Sequence, residues 1–247
     1  MSSVNVLILG GTTEAMQLAR LLEGDARFQA VYSVAGRTSN PRLPNLICRS
    51  GGFGGVEGLR DWLAANQCGI IVDATHPFAG QISHNAARAA ELSGARLLAV
   101  SRPPWRAVAG DSWQSVTSMA EAARALGEAP KRVLLTIGKL ELAAFCRAPQ
   151  HYYVSRSVDL PEQHPPHCEC ITQRGPFRLE DELALLDDYS IEVMVTKNSG
   201  GSAAQPKLEA ARRRRVPVVM VERPPLPGVA EQVQDAEQAL RWLEGYT

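Results

Sequence analysis

The chain repeats itself. Displaced by 121 positions, Thr75 to Pro104 falls on Thr196 to Pro225 without a gap. Leu97-Leu98-Ala99-Val100-Ser101-Arg102-Pro103-Pro104 lies over Val218-Val219-Met220-Val221-Glu222-Arg223-Pro224-Pro225. Thr75-His76 lies over Thr196-Lys197, and Ala89-Ala90 over Ala210-Ala211. The interval from threonine to arginine is 27 residues in both copies. Two flanking pieces match with small changes of offset: Val6 to Gly11 resembles Val133 to Gly138, and Val116-Thr117-Ser118 resembles Val233-Gln234-Asp235. Ser118 and Asp235 are good N-caps, and Ser118 with Glu121 makes a capping box. A period this long means duplicated domains and not a solenoid. Two similar halves are expected, meeting near Gly127 to Lys131, as domains 1–128 and 129–247.

Within each half, short apolar runs alternate with stretches of helical period. Strands are expected at Val4–Leu9, Ala30–Val34, near Leu46–Arg49, at Ile70–Ala74 and at Leu97–Val100. Between them, Glu14–Leu22, Val56–Ala65 and Ser83–Leu92 read as helices. The second half follows suit, with strands at Val133–Thr136, Ile191–Val195 and Val216–Val221 and helices at Leu140–Cys146 and Leu208–Arg214. Leu160 to Arg174, rich in proline, histidine and cysteine, reads as an irregular connection. Alternation of this kind makes an α/β fold of two tandem Rossmann-like parallel-sheet domains, with the active site expected in a cleft between them.

Composition excludes several classes of function. Equal numbers of basic and acidic residues, 26 each, give no sign of a nucleic-acid partner. No apolar run approaches the roughly 20 residues of a membrane-spanning helix, and the run into Gly10 lacks the basic flank of a signal peptide. Five scattered cysteines suit reduced thiols in the cytoplasm, and Cys168-x-Cys170 alone is poor spacing for a metal, so none is expected. A monomer is expected.

The chemistry concentrates at the ends of the strands. Gly10-Gly11-Thr12-Thr13-Glu14-Ala15 joins the first strand to the first helix, where a doubly wound sheet holds a dinucleotide pyrophosphate. Only two glycines are present, and Ala15 takes the close-packing place of the third. Arg37 and Thr38 follow the second strand, where NAD sites usually carry a carboxylate; an arginine there suits the 2′-phosphate of NADPH. Gly51-Gly52-Phe53-Gly54-Gly55 is a loop for close backbone approach, with Gly52 and Gly54 expected at the cofactor. Thr75, His76 and Pro77 end a further strand over the same edge; Thr75 and Pro77 are assigned to the cofactor. His76 is the candidate to hydrogen-bond substrate or donate a proton.

In the second half, Gly138-Lys139 stands where the first half has its glycine turn, without the double glycine, and suits substrate carboxylates. Lys197, Asn198 and Ser199, at the twin of His76, and Arg156 are further substrate candidates, with Arg174 another cation in an irregular segment. The Arg212–Arg215 run ends a helix and is read as a solvated face.

These pieces together resemble the precorrin-6A reductase family, which includes the cobalt-precorrin-6A reductases. The motifs are Ile8 to Ala15, Ala35-Gly36-Arg37-Thr38, Gly51 to Gly55, Asp73-Ala74-Thr75-His76-Pro77-Phe78-Ala79, Thr136-Ile137-Gly138-Lys139, Arg174-Gly175-Pro176-Phe177 and Thr196 to Gly201. They run in order over nearly the whole chain. The resemblance implies hydride transfer from NADPH to the C18–C19 double bond of precorrin-6A, a tetrapyrrole of cobalamin biosynthesis, yielding precorrin-6B. The alternatives are a reductase of the cobalt-containing precorrin or of another anionic metabolite, and a non-catalytic NADPH sensor. A lysine- and hydroxyl-rich second half argues against the sensor.

Overall fold

The computed structural model describes residues 3–36, 41–225, 227–228 and 231–247. Its first strand, β1 (Val4–Leu9), shows why the elements form where they do. The last four residues are all buried, with Val6 and Ile8 on one face and Leu7 and Leu9 on the other, as a strand covered on both sides requires. The chain continues through α1 (Thr13–Leu22), β2 (Phe28–Val34), β3 (Ile47–Ser50), α2 (Gly55–Ala65), β4 (Ile70–Asp73), α3 (Gly80–Ser93) and β5 (Arg96–Val100). Next come β6 (Trp113–Val116), α4 (Met119–Ala125), β7 (Arg132–Thr136), a 3-10 helix (Lys139–Arg147), β8 (Tyr152–Ser157) and β9 (Cys168–Thr172). Then follow α5 (Leu179–Asp188), β10 (Val193–Lys197), α6 (Pro206–Arg214), β11 (Val218–Val221), β12 (Glu231–Val233) and α7 (Ala236–Glu244).

Two parallel six-stranded sheets result, in the orders β12-β5-β4-β1-β2-β3 and β6-β11-β10-β7-β8-β9. Both follow the doubly wound Rossmann order, whose direction reverses between β1 and β4 in one sheet and between β7 and β10 in the other. The sixth strand of each sheet comes from the other half of the chain. β12 pairs with β5 through Glu231–Leu98 and Val233–Val100, and β6 pairs with β11 through Trp113–Val218 and Val116–Val221. The two compact units are therefore Met1–Pro103 with Pro224–Thr247, and Pro104–Arg223. They do not follow a linear cut at 128/129, because each terminal strand–helix pair completes the other unit's sheet.

In the first unit one core joins Val6, Ile8, Tyr32, Val72 and Leu98 of the sheet to Leu18, Ala19 and Leu22 of α1 and Ala236, Ala239 and Leu243 of α7. The opposite face packs Leu7, Leu9 and Ile71 against Leu59 and Leu63 of α2 and the alanines of α3. In the second unit, Leu134, Met194, Val218 and Met220 pack against Leu185 and Leu186 of α5 and Leu208, Ala210 and Ala211 of α6.

Two sequence expectations need correction. Leu160–Arg174 is not wholly irregular: Cys168–Thr172 is an edge strand, paired with β8 from Tyr153–Cys168 to Ser157–Thr172. Its alternation is carried by cysteines and an isoleucine, which give a weak apolar signal. The helix after Gly138 is wound as a 3-10 helix over Lys139–Arg147, where an α-helix was the simplest reading of its period.

Leu243, in the last helix of the second half, is fully buried in the core shared with Leu18 and Leu98. Leu243→Ala is expected to cost about 2–5 kcal/mol. Hydrogen exchange should show β1 and β2 amides losing protection while β7 and β10 keep theirs. Equal loss in both sets would contradict the exchanged arrangement.

Candidate functional site

Gly10 and Gly11 leave the carboxyl end of β1 for the N-terminus of α1. A Cβ on Gly10 would stand 2.3 Å from the Tyr32 ring, so only glycine lets that buried ring pack beneath the turn. The Tyr32 hydroxyl accepts a hydrogen bond from the Gly11 amide at 3.1 Å. Gly11 has a φ of 108°, and nothing lies within 4 Å of the place its Cβ would take. The backbone there is open to a ligand, which is what a dinucleotide cradle needs. Thr12 caps α1: its hydroxyl accepts from the Ala15 amide at 3.1 Å and donates to the Ala74 carbonyl at 2.7 Å. That bond ties the turn to the end of β4, across the point where the strand order reverses. Ala15 is fully buried, in its close-packing place, and Thr13 is the first residue of the helix. Glu14 is held in an ion pair with Arg102.

The glycine loop lies beyond β3, with Gly54 as the left-handed N-cap of α2 at φ 83°. Its organiser is Arg49, a residue that the sequence reading passed over. The guanidinium donates from Nη1 to Ser33 Oγ at 2.8 Å and the Gly51 carbonyl at 3.0 Å, and from Nη2 to the Gly52 carbonyl at 3.0 Å. It also stacks over the Phe53 ring at 3.7 Å. Partial burial pulls its pKa below the usual arginine value. Arg37 and Thr38 lie outside the described residues.

At the end of β4, buried Asp73 fixes Thr75, accepting from its amide at 3.1 Å and its hydroxyl at 2.7 Å. Pro77 follows in the turn before α3. His76 Nδ1 accepts from the Phe78 amide at 3.2 Å, which puts the ring proton on Nε2. The ring in this geometry is a neutral hydrogen-bond donor.

The second unit carries charge at the carboxyl ends of its own strands. Lys197, the twin of His76, pairs with Glu141, and Lys139 lies 3.6 Å from Asp159. Arg156 is buried in an ion pair with Glu182 at 2.6 Å and stacks at 3.8 Å on Phe177. Asn198 is a clamp: Oδ1 accepts from the Trp105 amide at 2.8 Å, and Nδ2 donates to the Trp105 carbonyl and to Glu222, both at 3.2 Å. Its side chain is thereby committed within the protein. Ser199 is buried in the same turn, its amide donating to the Lys197 carbonyl at 2.8 Å. The Arg212–Arg214 run pairs with Asp111, Glu209 and Asp187. No helix among the described residues is long and apolar enough to cross a membrane.

Lys207, near the start of α6, was not foreseen either. It is buried; its Nζ donates to Thr136 Oγ1 at 3.1 Å and lies 5.4 Å from the centre of the Trp105 ring. Burial, then Arg156 and Lys197, pull its pKa down to about 7 against the opposing pull of Glu182. An unfolded lysine titrates near about 10.4. Between those values the unfolded chain binds a proton that the folded chain does not, so stability rises with pH across that window. Lys207 should contribute a slope of up to roughly 1.4 kcal/mol per pH unit there. Urea midpoints measured across the window should rise for the wild type and lose this slope in Lys207→Met. Identical profiles would mean that Lys207 stays charged.

A family model described as Precorrin-6x reductase CbiJ/CobK matches residues 5–244. A precorrin-6A reductase from Sinorhizobium sp is 50% identical over 225 residues, covering 90% of this chain and 86% of that protein. One from Rhodococcus erythropolis is 44% identical and covers 96% of each. Matches named cobalt-precorrin-6A reductase are more distant, at 26–28% identity. A solved structure described as CobK precorrin-6A reductase superposes with a TM-score of 0.93 at 44% identity, covering 98% of this chain and 97% of that one. With the fold and the motif order in agreement, the chain belongs to the precorrin-6x reductase family and is an oxidoreductase.

Proposed function

We propose that this chain uses NADPH to reduce the C18–C19 double bond of precorrin-6A, giving precorrin-6B in cobalamin biosynthesis. The observation that carries the proposal is an open glycine turn at the reversal point of a Rossmann sheet, in a chain 50% identical to a precorrin-6A reductase. The lower identity to the cobalt-precorrin-6A reductases favours the cobalt-free substrate. Its five cysteines are free thiols, which fits the reducing cytoplasm as its compartment.

Bound NADPH supplies the hydride. The protein positions and charges the site. The open backbone at Gly11, the start of α1 and the loop at Gly52 and Gly54 receive the pyrophosphate and ribose, with Thr12, Thr13 and Thr75 as polar neighbours. Arg37 and Thr38 take the 2′-phosphate, and Arg49 holds the glycine loop in the shape that admits it. Lys139 and Lys197 bind carboxylates of the tetrapyrrole by exchanging Asp159 and Glu141 for substrate anions. Arg156, Asn198 and Ser199 shape that surface from behind. His76 presents a neutral ring whose Nε2–H is suited to hydrogen-bond the substrate. To deliver a proton it must first be protonated on Nδ1 and release the Phe78 amide.

Anaerobic oxidation of NADPH, followed at 340 nm by convention with precorrin-6A as the only acceptor, should be stoichiometric and much faster than that of NADH. Oxidation with the cobalt form alone would transfer the assignment to that substrate. Binding of NADPH without oxidation by either would leave a sensor. Arg37→Ala should raise the KM for NADPH by about 10- to 100-fold, the worth of a charge-assisted contact, and leave that for NADH unchanged. His76→Ala should lower kcat by roughly 100-fold. An unchanged turnover number at saturating substrate would remove His76 from the mechanism.

A further inference from the structure

We propose that His164, Cys168 and Cys170 form a binding site for a thiophilic divalent cation of the zinc class, on the edge strand of the second unit's sheet. The three ligand atoms lie within 4.8 Å of one another. The two Sγ atoms are 3.9 Å apart. Two thiolates about 2.3 Å from a tetrahedral metal stand about 3.8 Å from each other, whereas a disulfide needs about 2.05 Å. The spacing is that of a pair of metal ligands.

The local structure explains the convergence. Cys168 and Cys170 alternate with Glu169 along β9, so both thiols project from one face. Glu169 projects from the other, where it accepts hydrogen bonds from the Tyr152 and Tyr189 hydroxyls. β9 ends the sheet and pairs along one side only, with β8. The third ligand comes from the connection before it, where His164 precedes Pro165 and Pro166, with Pro165 buried. Those rings restrict the loop and hold the histidine over the strand. His164 Nδ1 lies 2.9 Å from the Pro165 carbonyl, an acceptor that selects the tautomer with a lone pair on Nε2. Ser155, in the neighbouring strand, is buried with its hydroxyl beside the Cys168 thiol. His164 is exposed, so solvent can complete a tetrahedral shell.

Cys168 opens its strand opposite Tyr153, near the beginning of β8. Thr136 and Lys197, by contrast, close theirs at the carboxyl edge. The cation therefore takes no part in the reduction. It staples the connection from β8 to β9 onto the free edge of the sheet, a position that otherwise offers unpaired backbone groups.

The test titrates the full-length protein, reduced and stripped of metal, with Zn(II) and separately with Co(II). One equivalent should bind per chain, and Co(II) should produce a thiolate-to-metal charge-transfer band with the strong visible absorption of tetrahedral cobalt. Cys168→Ser/Cys170→Ser should abolish the band and the stoichiometric binding. His164→Ala should weaken zinc by roughly 100-fold, since even loss of a ligand's supporting partner costs 10- to 100-fold. Reductase activity equal to the wild type certifies the fold of each variant, and Cys170→Ser alone decides the matter where the double variant misfolds. Absence of the charge-transfer band in the wild type overturns the site. So does binding that the cysteine variants leave unchanged, which would place the metal on other histidines.

Discussion

The structure depends on completing two parallel sheets, each of which needs a strand that its own half of the chain does not supply. Parallel strands are stable when both faces and both neighbours are covered. Without β12 the outer edge of β5 is bare, and without α7 the face of β1, β4 and β5 loses Ala236, Ala239 and Leu243. The repeated Arg-Pro-Pro segment marks where the chain departs. Pro103-Pro104 and Pro224-Pro225 follow the ends of β5 and β11, and a proline has no N–H with which to extend a ladder. The unit boundaries fall at those two exits. The arginine ahead of each proline pair anchors the departing chain to its own unit. Arg102 pairs with Glu14 in the first turn of α1, and Arg223 donates to the Asn198 carbonyl at 2.7 Å beyond β10.

Those same residues show how far a sequence carries. The gap-free repeat, the strands of β-branched residues and the glycine turn were legible because each rests on local chemistry: periodicity, backbone freedom, capping. The offset match between Val116-Thr117-Ser118 and Val233-Gln234-Asp235 even singles out the two pieces that change places, since Ser118 and Asp235 do cap α4 and α7. Which sheet each piece joins was not legible, because a repeat is symmetric to that choice. β6, β8, β9 and β12 were missed as strands: three are short edges of three to five residues with polar or cysteine side chains, and β8 buries Ser155 and Arg156 beside its apolar residues. Lys207 stands near the start of a helix, where composition places a solvated lysine, and only the fold buries it. Arg49 gave no signal beyond its charge. Asn198 looked like a ligand-facing amide, and its engagement with Trp105 and Glu222 depends on chain segments 93 and 24 residues away.

The two copies of one strand edge have been driven apart by single positions. Asp73 in the first unit corresponds to Met194 in the second. With the carboxylate, Thr75 has a fixed hydroxyl; without it, the hydroxyl of Thr196, fully buried, has no partner. In the first copy the turn after β1 is stripped to glycine over a tyrosine ring, and the exposed resource is backbone. In the second, the turn after β7 has one glycine and leads into a helix that begins with lysine, and the resource is charge. That charge is held unevenly. Lys139 and Lys197 pair with carboxylates that keep part of their surface in water. Arg156 and Glu182 are buried, where loss of either partner would strand a charge away from water, so their pairing is fixed. Lys207 sits beside this pair and escapes the same difficulty by giving up its proton near neutral pH. The two copies of the duplicated fold thus differ in what they offer at the strand ends: open backbone in one, and cations paired with carboxylates in the other.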